Sequence, residues 1–521
     1  MTKKRISFGV SIVKSVATVT GISIITRAIS FLFKIYLTRT LGAEVIGLYS
    51  ICLSVFFLFI AMTTGGLSTV LSRKIAESRA KGDELKPAAY LATAMSIAVP
   101  AAVIALVVGY LLTPEKSFLL SDERALPMLK IMLPALITTT FYIIIRGWFW
   151  GTKQFGIFSA TELLEEILRV LFTLLLVSGV ISGISGSAGL ALAFTLSDVA
   201  VALAVFIIFL RRGGSFRRGI HPKELLKPAL PLTAMRVLGS AVGAILALIL
   251  PNALIAAGST IADATAAVGR ISGMANPLLM APNAIIGSLA VVLVPEMSAD
   301  NVRGDSKKLQ SRIDGAISFA LVVSGLFMAI YSALGKELTS WLYNDYESGV
   351  YLEKAAWLMA LTPINMIVAT CMNSVGMEKE SFFSFIPGTL LMLASCWLLP
   401  KYIGIDAVIV ANLLSLSVEV VINLFLLHKK IKLRFGFIKT LISVTCISLF
   451  VKVLTDFVSG AFDFSSGFLT LVVSGIAGAA SYAALAYVFG IGDIKTMLSN
   501  VKKRRRATPS ENQKSNAGSP M

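Results

Sequence analysis

The run Ala88–Leu112, AAYLATAMSIAVPAAVIALVVGYLL, carries no charged side chain from end to end. At about 1.5 Å of rise per residue, a helix of this length crosses the ~30 Å hydrocarbon layer of a bilayer. Lys81, Asp83, Glu84 and Lys86 bound it on one side, Glu115 and Lys116 on the other. The same alternation of long apolar run and short charged connection repeats along the chain. That pattern decides the fold class: an all-α polytopic membrane protein.

Working outward, helices are expected at 12–37, 45–65, 88–112, 125–150, 158–180 and 189–210, then at 228–254, 266–294, 310–333, 353–375, 381–400, 404–427, 438–457 and 466–490, about fourteen transmembrane helices in all. Of the 521 residues, 56% are hydrophobic and 15% charged, with a mean hydropathy of +0.82. No soluble domain needs so much apolar surface. The first run follows Lys3, Lys4 and Arg5 but exceeds a signal-peptide core and lacks a small-x-small cleavage site, so it is read as a retained helix.

The net charge of +18 is dispersed in short loops, not gathered on an aromatic-studded basic face, which excludes a nucleic-acid partner. Assigning alternate loops to opposite sides puts roughly thirty Lys and Arg on one side and roughly five on the other. Arg211–Arg218, Lys429–Arg434 and Lys502–Arg506 all share the basic side, so the helix number is even and both termini are cytoplasmic.

The polar stretch Arg211–Lys227 divides the chain: an N-terminal lobe at 1–212, a basic cytoplasmic linker at 213–227, a C-terminal lobe at 228–430, two last helices within 431–490 and a basic tail at 491–521. A parallel internal repeat supports the division. Ile75–Asp83 reads IAESRAKGD and Met297–Asp305 reads MSADNVRGD, six helices apart; Gly151-Thr152-Lys153 and Gly376-Met377-Glu378-Lys379 keep nearly the same offset. The tail, with Lys502 to Arg506 before a Ser- and Asn-rich end, suits the headgroups of anionic membrane lipids.

Enzyme chemistry finds no support. His221 and His428 sit in or beside basic loops, and Gly335-Lys336 lacks the rest of a P-loop. Cys52, Cys371, Cys396 and Cys446 lie singly in apolar segments with no metal spacing, as small core residues do. No metal site or cofactor is expected; the energy source is the membrane potential, H⁺ or Na⁺.

Charges inside the bilayer are the informative residues, since each costs ~2.5–3.5 kcal/mol at mid-helix on insertion scales. Lys14, Lys34, Lys130, Arg146, Lys354 and Lys452 are near enough to helix ends to snorkel. Arg27, Arg169, Asp198, Arg236 and Glu419 lie deeper. Glu165 and Arg169, four apart on one face, can pair. Arg27 has no acidic neighbour on its own helix, and Lys34 follows seven residues later on the same face: either an anionic ligand such as a pyrophosphate meets this stripe, or Asp198 or Glu419 pairs with Arg27. Arg270 lies in a segment with Asn276-Pro277, Pro282 and Pro295, where missing backbone donors predict a kink. The candidate substrate-binding residues are therefore Arg27, Lys34, Arg169, Arg236 and Arg270, and the candidate ion-coupling residues or charge partners Glu165, Asp198 and Glu419.

Several stretches together resemble the stage V sporulation protein B group of the MOP superfamily, in its polysaccharide-export and lipid II flippase branch. They are Leu41-Gly42 through Gly47-Leu48-Tyr49, Gly66-Leu67 through Ser72–Asp83, Arg146-Gly147-x-Phe149-x-Gly151, Glu165-x-x-x-Arg169, Pro231 through Arg236, and Pro282 with Pro295. The chain departs from the family at Ser68, where a proline is usual, and at Trp148 in place of tyrosine. The resemblance implies two six-helix lobes in a V-shaped, MATE-like arrangement plus two C-terminal helices, with cavity arginines holding a lipid pyrophosphate. Arg27 falls at one such arginine; a second is replaced by Phe33, with Lys34 beside it. The implied function is a flippase for an undecaprenyl-pyrophosphate-linked saccharide in the cytoplasmic membrane, working by alternating access in peptidoglycan or spore-cortex synthesis, with cell-wall synthesis proteins as partners. A cation-coupled multidrug antiporter and an exporter of another lipid-linked polysaccharide unit are the alternatives.

Overall fold

The computed structural model describes the backbone of residues 2–83, 85–113, 122–177, 186–217, 219, 221–433, 435–461 and 467–491, with side chains from residue 19 onward except 288–292, 294, 295 and 299. The basic tail lies outside the described residues. Among them there is no β-strand.

The first unit begins with α1 (Thr2–Thr64), which joins the expected first two helices across a break at Gly42. Gly42 has φ 74° and ψ 172°, a conformation open in practice only to glycine. Next come α2 (Leu67–Ala80), α3 (Lys86–Leu112), α4 (Ala125–Met132), α5 (Ala135–Gly151), α6 (Phe155–Val177), α7 (Gly186–Arg211) and α8 (Lys223–Ala256). The α2 segment corrects the expectation of a polar loop after the second span. Its Leu67, Val70, Leu71 and Ile75 form a buried stripe against Phe149 and Leu91 of the same core.

The expected eighth helix is broken into α9 (Ile261–Val268), a π-helical turn at Gly269–Ala275, α10 (Asn276–Leu279) and α11 (Ala281–Val302). The expected kink is therefore present. Packing divides the chain into two compact units within this break, at Pro277/Leu278, with Leu342–Asp345 and Leu391–Ala411 also belonging to the first.

The second unit holds most of the remainder: α12 (Ser306–Tyr343), α13 (Tyr346–Ala355), α14 (Thr362–Ser374), α15 (Glu378–Leu398), α17 (Ala407–Ile431), α18 (Phe437–Ala461) and α19 (Gly467–Val488), with the short α16 (Pro400–Ile403) in the first. Nine helices among the described residues are long and apolar enough to cross a membrane, or eleven when the bent pairs α4–α5 and α13–α14 each count as one span. The gap to the expected fourteen lies in three places. Residues Val19–Ala80 count as one stretch across the Gly42 break, the α9–α11 region is interrupted, and α6 carries Glu162, Glu165, Glu166 and Arg169.

Each unit contains the same local devices. The amide of Asp83 donates to Ser78 O at 3.1 Å and that of Asp305 to Asp300 O at 3.1 Å, with Gly82 (φ 78°) and Gly304 (φ 71°) at the left-handed position. Asp83 and Asp305 then cap the following helices through Oδ1, accepting from Lys86 N and Lys308 N at 3.1 and 3.2 Å. A second pair follows: Gln154 N donates to Phe149 O and Met377 N to Met372 O, both at 2.8 Å, with Lys153 (φ 61°) matching Gly376 (φ 76°). Ser78 to Asp300 and Phe149 to Met372 are the same separation to within one residue. The bent pairs, at 44° and 41°, begin at nearly that separation too. Similar local sequence arises by chance; the same helix ends at one nearly constant offset, with a bend inside each corresponding helix pair, support a duplication.

Candidate functional site

The deepest charges of the first unit lie between α5, α6 and α7, and they neutralise one another. Arg146 Nη1 donates to Glu165 Oε2 at 2.8 Å and Nη2 to the Thr161 carbonyl at 2.6 Å. Arg169 Nη2 reaches Glu165 Oε1 at 2.7 Å and Asp198 Oδ1 at 3.4 Å. Thr139 Oγ1 donates to Asp198 Oδ2, and the Tyr142 hydroxyl donates to Glu165 Oε1 at 3.2 Å. The arginines lie over the rings of Tyr142 and Phe194, at 4.8 and 5.2 Å. Two guanidinium groups face two carboxylates, so the cluster offers no net charge to a ligand.

This corrects one reading. Arg146 does not snorkel: it is 9% exposed and its charge is consumed by Glu165. Arg169, expected to meet substrate, pairs with Glu165 and Asp198. Asp198 is fully buried and serves here as a charge partner. Arg270 is likewise engaged, with Nε 3.2 Å from Asp345 Oδ2.

Arg236 and Lys34 hold backbone instead of carboxylates. Arg236 Nη1 donates to Gly65 O at 2.6 Å and Nη2 to Thr69 Oγ1 at 3.0 Å. Gly65 follows the last turn of α1, where carbonyls lack helical partners and a cation complements the helix dipole. Thr233 Oγ1 accepts from Gly66 N at 2.9 Å, so α8 fastens the α1–α2 turn twice.

Lys34 Nζ donates to Ser272 O at 3.3 Å. In the π-helical turn the amide of Asn276 bonds to Ile271 O, five residues back; the corresponding donor for Ser272 O would be residue 277, a proline without N–H. Lys34 fills that gap.

Arg27 differs from all of these. It is exposed on α1, and among the described residues no carboxylate forms an ion pair with it; Glu162 of α6 lies close enough to feel its charge. Asp198 instead pairs with Arg169. Glu419, on α17 of the second unit, lies by the Asn365 side chain, which accepts from Asn423 Nδ2 at 3.3 Å; Ser384 Oγ donates to Asn423 Oδ1 at 2.5 Å. This polar group was not singled out from sequence, since amides and hydroxyls on three helices give no charge signal.

Just past the Gly42 break of α1 the contact with α9 and the π-helical turn is nearly backbone to backbone. A side chain at Gly47 would strike the Thr265 carbonyl, and one at Gly269 the Ala43 carbonyl. Beside this contact Arg124 bridges Glu44 and Asp122, both at 2.6 Å, and Thr265 Oγ1 donates to Asp122 at 3.1 Å. Burial alone would raise the Asp122 carboxyl; hydrogen bonds from the Arg124 side chain and backbone outweigh it and hold the group below the usual carboxylate range. The quoted stretch Gly42 through Gly47 thus supplies a bend and a close crossing. Three cysteines are buried and Cys446 is exposed.

Comparison with known proteins agrees with this geometry. Residues 12–299 match the family described as polysaccharide biosynthesis protein. Stage V sporulation protein B of Bacillus subtilis (strain 168) is 24% identical, over 67% of this chain and 72% of its own. A solved structure of the lipid II flippase MurJ in an inward closed conformation superposes with a TM-score of 0.69 at 13% identity, covering 91% of this chain and 98% of that one. An inward-facing multidrug resistance MATE family transporter of the MOP superfamily gives 0.65 at 17% identity, over 78% and 94%. The chain therefore belongs to the polysaccharide biosynthesis protein family and has the polytopic helical membrane fold of these solved structures.

Proposed function

We propose that this chain moves an undecaprenyl-pyrophosphate-linked saccharide, of the lipid II type, from the inner to the outer leaflet of the cytoplasmic membrane by alternating access. One observation carries the choice of an anionic cargo. Glu165 and Asp198, between α5, α6 and α7, are engaged by Arg146 and Arg169, while Arg27, Lys34 and Arg236 form no ion pair with a carboxylate among the described residues. That balance favours an anion over the cationic drug of an antiporter.

Of the three, Arg27 is the one whose guanidinium is not committed to backbone, so it is the proposed pyrophosphate contact, with Lys34 and Arg236 supplying field. Arg169 and Arg270 leave the ligand set. With Asp198 inside a neutralised cluster, Glu419 and its amide neighbours become the proposed site of coupling to H⁺ or Na⁺; the membrane potential is the other source of drive. The lobes are six helices each with two more appended, both termini are cytoplasmic, and no cofactor is involved. Anionic lipids at the tail and cell-wall synthesis proteins are the proposed partners, and the name of the sporulation relative suggests spore-cortex work.

The test is reconstitution into liposomes with fluorescent lipid-linked precursors, scoring outer-leaflet appearance. Arg27→Ala is expected to slow flipping about tenfold or more, as loss of one charge-assisted hydrogen bond does, and Arg27→Lys less. Equal rates in Arg27→Ala and the parent, or export of a cationic dye with no lipid movement, would sink the reading.

A further inference from the structure

Away from Arg27, the second unit carries a pocket that the transport reading does not use. It lies where α12 ends, α13 begins, α18 ends and α19 begins, the end that the Lys and Arg distribution makes the outer one. Its volume is about 530 Å³, within the usual range for small-ligand sites.

The wall is built from rings and polar groups together. Trp341 stacks on Phe468 with centroids 4.9 Å apart and planes 29° apart. Lys336 Nζ lies 5.9 Å from the Tyr346 ring centroid and 3.0 Å from Glu353. Trp341, Tyr346 and Phe468 remain 44%, 57% and 46% exposed. Glu337 adds a carboxylate to the lining.

A plain interfacial belt would explain exposed tryptophan and tyrosine, but not the floor. Thr470 lines the pocket, is only 9% exposed, and its Oγ1 is buried with no hydrogen-bond partner. Ser474, one turn deeper on the same face of α19, and Thr455 on α18 leave hydroxyls in the same state. Buried unsatisfied hydroxyls mark a place where water or a ligand completes the bonding.

We propose that this outer-end pocket binds a saccharide. Exposed rings suit the apolar C–H face of a pyranose, and Glu337, Lys336 and the Thr470 hydroxyl suit its hydroxyl or acetamido groups. The inference rests on the transport reading for the source of its ligand, the head of a cargo that has crossed; a free glycan in the external medium has the same chemistry.

The experiment uses the full chain in lipid nanodiscs, titrated with soluble N,N′-diacetylchitobiose and separately with a lipid-linked disaccharide. Saturable chitobiose binding is expected, weakened about tenfold by Trp341→Ala, as loss of an aromatic contact does, and also weakened by the isosteric Thr470→Val, with an unchanged melting curve of the latter as the folding control. Tighter binding of the lipid-linked form would identify the cargo as the source, and equal binding a free glycan. No saturable binding, or affinities unchanged in both variants, would overturn the pocket. Flipping without chitobiose binding would remove this inference and leave the transport reading; binding without flipping would do the reverse.

Discussion

Glu165 accepts from two arginines and a tyrosine hydroxyl, so neutralising it strands two buried cations beside one remaining acid. Glu165→Gln is expected to cost about 3–5 kcal/mol, the range for breaking a buried pair from one side. Replacing Arg146 by Met and Glu165 by Leu together should recover most of that, and thermal unfolding of the purified protein in detergent measures both. Asp122 gives a pH signature at the opposite end. Because its folded carboxyl is depressed, its contribution is fully present above the unfolded value of about 3.9 and is lost as pH falls through the folded one. Hydrogen exchange at 122–126 and 43–47, corrected for intrinsic rate, should stay flat from neutral pH to about 5 and rise below about 4; Asp122→Asn should show the raised exchange throughout. The Glu165–Arg169 pair was legible because both residues sit on one helix four apart. Arg146 and Asp198 were not, since their partners arrive from helices that only packing brings together.

At the scale of elements, the duplicated helix ends make a sharper claim than the duplicated words of sequence did. Gly82 and Gly304 occupy equivalent left-handed positions, so Gly82→Ala and Gly304→Ala should each destabilise by about 1–2 kcal/mol, and by similar amounts. Lys153 already carries that strain where Gly376 does not, so Lys153→Gly should stabilise by about 1 kcal/mol while Gly376→Ala destabilises. Chemical denaturation of the four variants in mixed micelles checks the set; costs that differ strongly between the two units would count against equivalence. Helix positions were readable from apolar runs because lipid demands them. The α2 segment was missed because its buried stripe is narrow and its exposed face, with Arg73, Lys74, Glu77 and Arg79, reads as a loop. The π-helical turn was equally hidden, since shifting a few hydrogen bonds by one residue hardly alters periodicity; only the prolines Pro277, Pro282 and Pro295 pointed to a kink, and Pro277 is the one that removes the donor for Ser272 O.

For the whole molecule, charge placement predicts the side of the membrane on which each connection lies, and the three segments that fail a simple span test are the ones on which that expectation depends. If α6 did not cross, every connection after it would change sides; the same holds for the α9–α11 break and for the bend at Gly42. Single cysteines in a background with Cys52, Cys371, Cys396 and Cys446 replaced can separate these cases, because exposed positions bracket each doubtful segment. Cysteines at Glu123, Glu347 and Lys401 should react with a membrane-impermeant maleimide in intact cells. Cysteines at Ser215, Ser306 and Glu378 should react only after permeabilisation. Reversal of every probe from Glu123 onward would indict the α1 bend. Reversal from Ser215 onward would remove α6 as a span, and reversal from Ser306 onward would do so for α9–α11. The strict alternation expected here requires all three to cross, which is the condition for an even number of helices with the expected internal repeat.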